Sequence, residues 1–233
     1  MELINDYLIK NKHNEAKKVE AKIKLLSLEH LDEVVSLNRQ IYKLLPDKQL
    51  LSLDTYEEMY EDLNKNGLII GVFNDEDRLV AYRYASFPGL EDRNLAYDFD
   101  FPVELEKVCQ LETTIVHPDY RGNNLQDRLA KMTIEIAKDR GYTDLTCTVS
   151  PYNYYSLNNI MKSNLKVRAL KKKYDDLLRF VLHGRIGNYD YGKKIDVINI
   201  TMEDIEKQME LLNKGYIGDE LFENRTIDYV KYE

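Results

Sequence analysis

Apolar residues recur along the chain with two spacings, and the switches between them mark the elements. Residues 1–21 read as a polar leader without a continuous apolar run, and 22–26 as a short strand. Residues 31–45 place Leu31, Val34, Val35, Ile41, Leu44 and Leu45 at helical spacing before Pro46, and 56–63 predict a shorter helix. Two apolar runs, 67–73 and 78–86, bracket Asn74-Asp75-Glu76-Asp77 as the arms of a hairpin do. Residues 88–107, rich in acids and aromatics, show weak periodicity and read as a long excursion. A strand at 109–116, a helix at 125–140 with Leu125, Leu129, Met132 and Ile136 on one face, a stop at Gly141 and a strand at 142–149 form a unit whose two strands should lie parallel. A helix at 153–163 follows, then strands at 165–172 and 177–182 around Tyr174-Asp175-Asp176, so the sheet is mixed and the class α/β. After Gly184 the pattern changes. A strand at 195–200 leads to a helix capped by Thr201 with Asp204 in the capping-box position, ended by Gly215, with Met202, Ile205, Met209 and Leu212 as a buried stripe. The expected division is 1–184 for the main domain and 185–233 for an extension of strand plus helix, packed on it or used for assembly.

Composition narrows the partners. A chain of 233 residues, 43% of them hydrophobic, can bury a substantial core. A formal charge of -8 argues against a broad nucleic-acid or anionic-membrane surface and suits amine partners. Cys109 and Cys147 are too few and too far apart for a disulfide framework or a zinc site, so no metal is expected. Without an apolar export signal or a run of about 18 apolar residues, the expected setting is the reducing cytoplasm.

The stretch 116–132, VHPDYRGNNLQDRLAKM, ends an apolar run at a proline and starts a helix almost at once. A helix that begins after a tight turn presents backbone N–H groups without intrahelical partners, and its dipole adds positive character there. Such an end attracts anions. Gly122 permits close backbone approach, Asn123 or Asn124 tolerates left-handed geometry or caps the helix, and Arg121 adds a charged fork. The alternative is a solvated turn with a surface arginine.

Element order and local residues together resemble the GNAT acyltransferase superfamily, which moves acyl groups from coenzyme A to amines. The resemblance rests on Val116, Pro118, Arg121, Asn124 and Gln126 in the loop, with Asn124 and Gln126 where small residues are usual, and on Ser150-Pro151-Tyr152-Asn153-Tyr154-Tyr155-Ser156 after the family's fifth strand. It is strongest over 105–183, mainly one of element order over 22–87, and absent from 184–233. It implies a mostly antiparallel central sheet flanked by helices, with the fourth and fifth strands splayed around the pantetheine arm. It implies acetyl-CoA as cosubstrate, met by the backbone of Thr114, Ile115 and Val116, with Arg121, Gly122, Asn123, Asn124, Leu125 and Gln126 at the diphosphate and Asn153 and Ser156 at the arm.

An alkyl amine with a pKa near 10.4 is neutral about once in 2500 molecules at pH 7, a deficit of roughly 4.6 kcal/mol, so a base is needed. Glu112 shares a strand face with Thr114 and Val116 and is the candidate, the alternative being an ion pair with a neighbouring strand. The family's tyrosine for the leaving thiolate falls at Ile160, which leaves Tyr154 or Tyr155, of which Tyr155 is singled out, or no acid at all. Tyr97-Asp98-Phe99-Asp100-Phe101 could form a cation-holding lip or clamp its rings on the core, and Lys171-Lys172-Lys173 reads as an edge guard. His117 lies near the expected thioester; His13, His30 and His183 stand outside any motif. The expected function is N-acetyl transfer to a primary amine of a small molecule or peptide. The alternative is a non-catalytic CoA sensor, and a homodimer stays open.

Overall fold

The computed structural model describes residues 2–12, 15–187 and 189–233, the side chains of Glu2 and Leu3 excepted; His13 lies outside them. The chain forms two compact units, Met1–Phe87 with Glu112–Ile136, and Pro88–Leu111 with Ala137–Glu233.

In the first unit the polar opening stretch forms strands. Strand β1 (Glu2–Lys12) pairs antiparallel with β2 (Glu15–Leu25) along nearly its whole length, and β2 begins well before the expected Lys22. The reason is burial: in β1 Leu8 goes inside while Ile4, Tyr7 and Ile9 stay exposed, so the strand needs no strict alternation. Helices α1 (Leu31–Leu44) and α2 (Tyr56–Lys65) follow, the second opened by a reciprocal capping box between Thr55 and Glu58. Strands β3 (Leu68–Asn74) and β4 (Leu79–Ser86) form the expected hairpin, with β2 on the far side of β3. The Asn74 carboxamide oxygen accepts the N–H groups of Glu76 and Arg78 and so closes the turn. Leu31, Val34, Val35, Ile41 and Met59 pack on Ile69, Phe73, Tyr82, Tyr84 and Ile115, which makes the core of this unit. Strand β5 (Val108–Val116) and helix α3 (Leu125–Asp139) each run through both units.

In the second unit β5 pairs in parallel with β6 (Asp144–Val149), as the crossover pattern requires. That ladder has three pairs, Val108–Asp144 to Gln110–Thr146, and ends there although both strands continue; it is the pair expected to splay. After α4 (Tyr154–Lys162), strands β7 (Lys166–Lys173) and β8 (Leu177–Arg185) form a hairpin in which β8 pairs with β6. The extension holds more than one strand and one helix: β9 (Lys194–Thr201), α5 (Ile205–Asn213), β10 (Ile217–Leu221) and β11 (Thr226–Tyr232), with β10 pairing to β7 through Gly218 and Val167. Asp204, not Thr201, caps α5 by accepting the Lys207 N–H at 3.0 Å, because Thr201 is still strand. The buried positions around that helix are Met202, Gln208 and Leu211, whereas Met209 is exposed; Gln208 accepts the Tyr229 hydroxyl at 2.8 Å and donates to the Met202 carbonyl. Since β7 lies between β8 and β10, its lysines guard no edge: Lys171 and Lys173 bind Asp98. Phe99 and Phe101 stack at 5.1 Å and both meet the His183 ring edge-on, while Arg168 lies over Phe101, so these two rings clamp inward, whereas Tyr97 stays exposed.

Candidate active site

The loop after β5 is built from its own residues. His117 caps a 3-10 turn at Pro118–Tyr120, its Nδ1 accepting the Asp119 N–H at 3.3 Å, and its own N–H donates to the Val80 carbonyl. Arg121 is exposed and extended, Gly122 takes φ +83° and Asn124 φ +55°, and α3 starts at Leu125, which is buried. Asn124 is thus the left-handed asparagine. A Cβ placed on Gly122 would meet nothing within 4 Å, so the turn opens on free space. Among the described residues, the N–H groups of Gly122, Asn123, Asn124 and Leu125 donate to no protein acceptor. Four successive amides at a helix start, beside a guanidinium, fit a diphosphate.

Asn123 has a further task that sequence reasoning missed. Its Oδ1 accepts the Ile9 N–H at 2.7 Å and its Nδ2 donates to the Ile9 carbonyl at 2.7 Å and the Tyr120 carbonyl at 2.9 Å. The carboxamide stands in for a neighbouring strand at the β1 edge, supported by the Asp6–Arg128 ion pair. Its side chain belongs to the scaffold, and its backbone N–H to the cradle.

On β5, Thr114 accepts a hydrogen bond from Arg83 at 2.6 Å, Ile115 is core, and Val116 is half-buried before the loop. Glu112 is half-buried and accepts the Ser86 hydroxyl at 2.6 Å. Sequence reasoning missed its acidic neighbour, Asp54, which stands one residue before the α2 cap. The Asp54 carboxyl takes a hydrogen bond from Thr113, yet its Oδ2 is shielded from solvent with no partner. Burial first, then the Glu112 charge, pushes its pKa up to about 7. Burial and the same carboxylates raise the Tyr84 phenol, which donates to Asp62, and burial and Asp54 raise Tyr82, whose hydroxyl is buried without a partner. Asp54 therefore keeps its proton up to about neutral pH.

In the second unit, Asn153 caps α4 through Oδ1, which accepts the Ser156 N–H at 3.1 Å. Tyr155 is 74% exposed, edge-on to Tyr154, and Ile160 is buried in the core. The residues expected around acetyl-CoA therefore fall into two sets, Glu112 to Gln126 on β5, its loop and α3, and Asn153 to Ser156 at the start of α4.

Strands β5 and β6, paired in parallel, joined through α3 and set in a mostly antiparallel sheet, make this a mixed α/β fold. The chain matches the acetyltransferase (GNAT) family over residues 33–160, more than half its length, and belongs to that family. It is an N-acetyltransferase with acetyl-CoA as cosubstrate. Among solved structures, the GNAT-family acetyltransferase of Streptococcus pneumoniae matches with 18% identity and TM-score 0.55, covering 72% of this chain and 99% of that one. An N-acetyltransferase from Staphylococcus aureus Mu50 matches with 16% identity and TM-score 0.53, over 72% and 99%. A phosphinothricin acetyltransferase from Sinorhizobium meliloti, solved in complex with AcCoA, matches with 13% identity and TM-score 0.53, over 74% and 92%. At these identities the likeness is one of fold. No curated protein matches the sequence.

Proposed function

We propose that the protein transfers the acetyl group of acetyl-CoA to a primary amine of a small molecule or peptide by direct attack, with residues 1–184 as the transferase and 185–233 as an appended brace. The observation that carries this is the run of four unused amides, Gly122 to Leu125, with Arg121 beside it. In this reading Arg121 and the loop as far as Gln126 hold the diphosphate, the Thr114–Val116 backbone meets the pantetheine arm and the thioester, and Asn153 and Ser156 hold the arm from the start of α4. Glu112 takes the proton that the ammonium must lose. Tyr155, exposed enough to meet a ligand, returns a proton to the departing thiolate. The buried cysteines Cys109 and Cys147 suit a reducing, cytoplasmic setting, and no helix among the described residues is long and apolar enough to cross a membrane.

Thiol release from acetyl-CoA over a panel of amines is the test. Amine-dependent release is expected, and Glu112→Gln should lower turnover more at pH 7 than at pH 9, where free amine is commoner. A protein that binds acetyl-CoA but releases no thiol with any amine would be a sensor; a loss in Glu112→Gln that is equal at both pH values would remove Glu112 from the base role.

A further inference from the structure

Helix α1 buries Leu31, Val34, Leu37 and Ile41 and turns its other side outward. Beside that side and the first residue of α2 lies a cavity of about 680 Å³, to which Val35 and Tyr56 supply apolar surface. Both helices, the Glu112–Val116 end of β5 and the loop after it belong to one unit.

The polar wall of this cavity is uneven. Arg39 and Lys43 both line it and stand four residues apart, so their side chains leave the helix one turn apart on the same side and repel each other. Asp32 lines it too, but seven residues before Arg39, which is about 10 Å along the axis at a rise of about 1.5 Å per residue. It does not reach the pair. Among the described residues, neither the Arg39 guanidinium nor the Lys43 ammonium has a hydrogen bond, an ion pair or a ring contact. In a chain with 41 acidic and 33 basic residues, such a corner is a local exception that selects for anions. The wall also meets the end of β5. Gln40 Nε2 lies 3.4 Å from Nε2 of His117, the residue after Val116, whose own N–H is tied to the Val80 carbonyl. A molecule seated on Arg39 and Lys43 is therefore beside the strand end proposed to meet the thioester.

Resting on the acetyltransferase reading, we infer that this cavity receives the acceptor and that Arg39 and Lys43 hold an oxyanion on it, a carboxylate or a phosphate. The acceptor is then an amine that carries an anionic group rather than a simple alkylamine. Arg39 supplies the planar fork that either oxyanion takes in two hydrogen bonds, and Lys43 adds a second point charge. Ser36 offers a hydroxyl, Val35 and Leu44 cover the carbon chain, and the amine end faces Gln40 and His117. Arg39, Gln40 and Lys43 are exposed, so the ligand has a direct way in from solvent.

Thermal unfolding of the whole protein tests this, with CoA present at a saturating concentration so that its phosphates occupy the cradle at Gly122–Leu125 and no acetyl group is consumed. The probes are propylamine, β-alanine and O-phosphoethanolamine, which share an amine and carry no anion, a carboxylate and a phosphate respectively, all at matched ionic strength. The wild type should melt several degrees higher with β-alanine or O-phosphoethanolamine, the one that acts identifying the oxyanion, and stay unchanged with propylamine. The double variant Arg39→Gln/Lys43→Gln should melt where the wild type does without probe, because both side chains are exposed and glutamine suits a helix. It should keep the shift with CoA and need at least tenfold more of the anionic probe for half its effect. If the double variant melts lower on its own, Arg39→Gln alone carries the same comparison. No shift with either anionic probe, an equal shift with propylamine, or equal half-effect concentrations in wild type and variant overturns the inference. Failure of CoA itself to shift the wild type overturns the acetyltransferase reading instead.

Discussion

The acids on the first unit show how environment assigns roles that residue type does not. Glu112 was placed by strand periodicity, whereas Asp54 sits in Leu53-Asp54-Thr55, which advertises only a helix start; its altered chemistry comes from burial first and then from the Glu112 charge. The sign of the Asp54 effect follows from its raised folded pKa. The folded state holds the proton more tightly than the unfolded chain, so the stabilisation is complete below about 4 and is lost as pH rises through about 7. Asp54→Asn fixes the site in its neutral form. The variant should therefore match the wild type near pH 3 and exceed it at pH 8 by a few kcal/mol, about 4 at most for a span from 3.8 to about 7. Denaturant titrations at the two pH values check this, and equal stabilities at pH 8 would mean that Asp54 ionises as freely as an exposed carboxyl.

At the level of elements, helices and core strands were readable because each buries one face, and the misses share a cause. β1 buries Leu8 and leaves Ile4, Tyr7 and Ile9 outside, so its pattern looks polar and irregular. β10 is five residues long and carries Gly218, whose missing side chain admits Val167 of β7: a Cβ there would stand 2.8 Å from the valine Cβ. β11 buries Ile227 and Tyr229 but also the adjacent Val230, so its alternation is broken, and it follows directly on a short strand and a turn. These strands are joined to β7 by charge as well. Asp219, 7% exposed, takes Lys166 and Lys194 at 2.8 and 2.7 Å; burial alone would raise its pKa, but the two lysines hold it below the usual carboxylate value. Removing residues after Arg185 strips β7 of this cover and leaves Lys166 without its acid. The truncated chain should aggregate or melt several degrees lower, as light scattering and calorimetry would show; a soluble truncation with unchanged melting temperature would mean that the extension braces nothing.

For the molecule as a whole, the family match spans 33–160, and the structure adds strands before and after it, which is why local motifs predicted the chemistry better than the full architecture. The cradle at Gly122–Leu125 was foreseeable because the proline, the glycine and the helix start are adjacent in sequence; the Asn123 clamp on Ile9 was not, since it joins residues 114 apart. Ligand binding at that cradle is linked to the stability of everything that folds with it. A ligand that binds only the native state adds about 2.7 kcal/mol at a hundred times its Kd. In a chain of this length each kcal/mol moves the melting temperature by about 2–4 °C, so acetyl-CoA should raise it by roughly 5–10 °C. Arg121→Glu puts a carboxylate beside the four amides and should weaken CoA binding tenfold or more. At the same acetyl-CoA concentration about 1.4 kcal/mol of the stabilisation is then lost, near half of the upward shift. Because Arg121 is exposed and the cradle is open, the unliganded variant should melt where the wild type does, so a reduced shift reports the diphosphate contact rather than damage to the fold. Identical shifts in the two proteins would mean that the phosphates lie elsewhere.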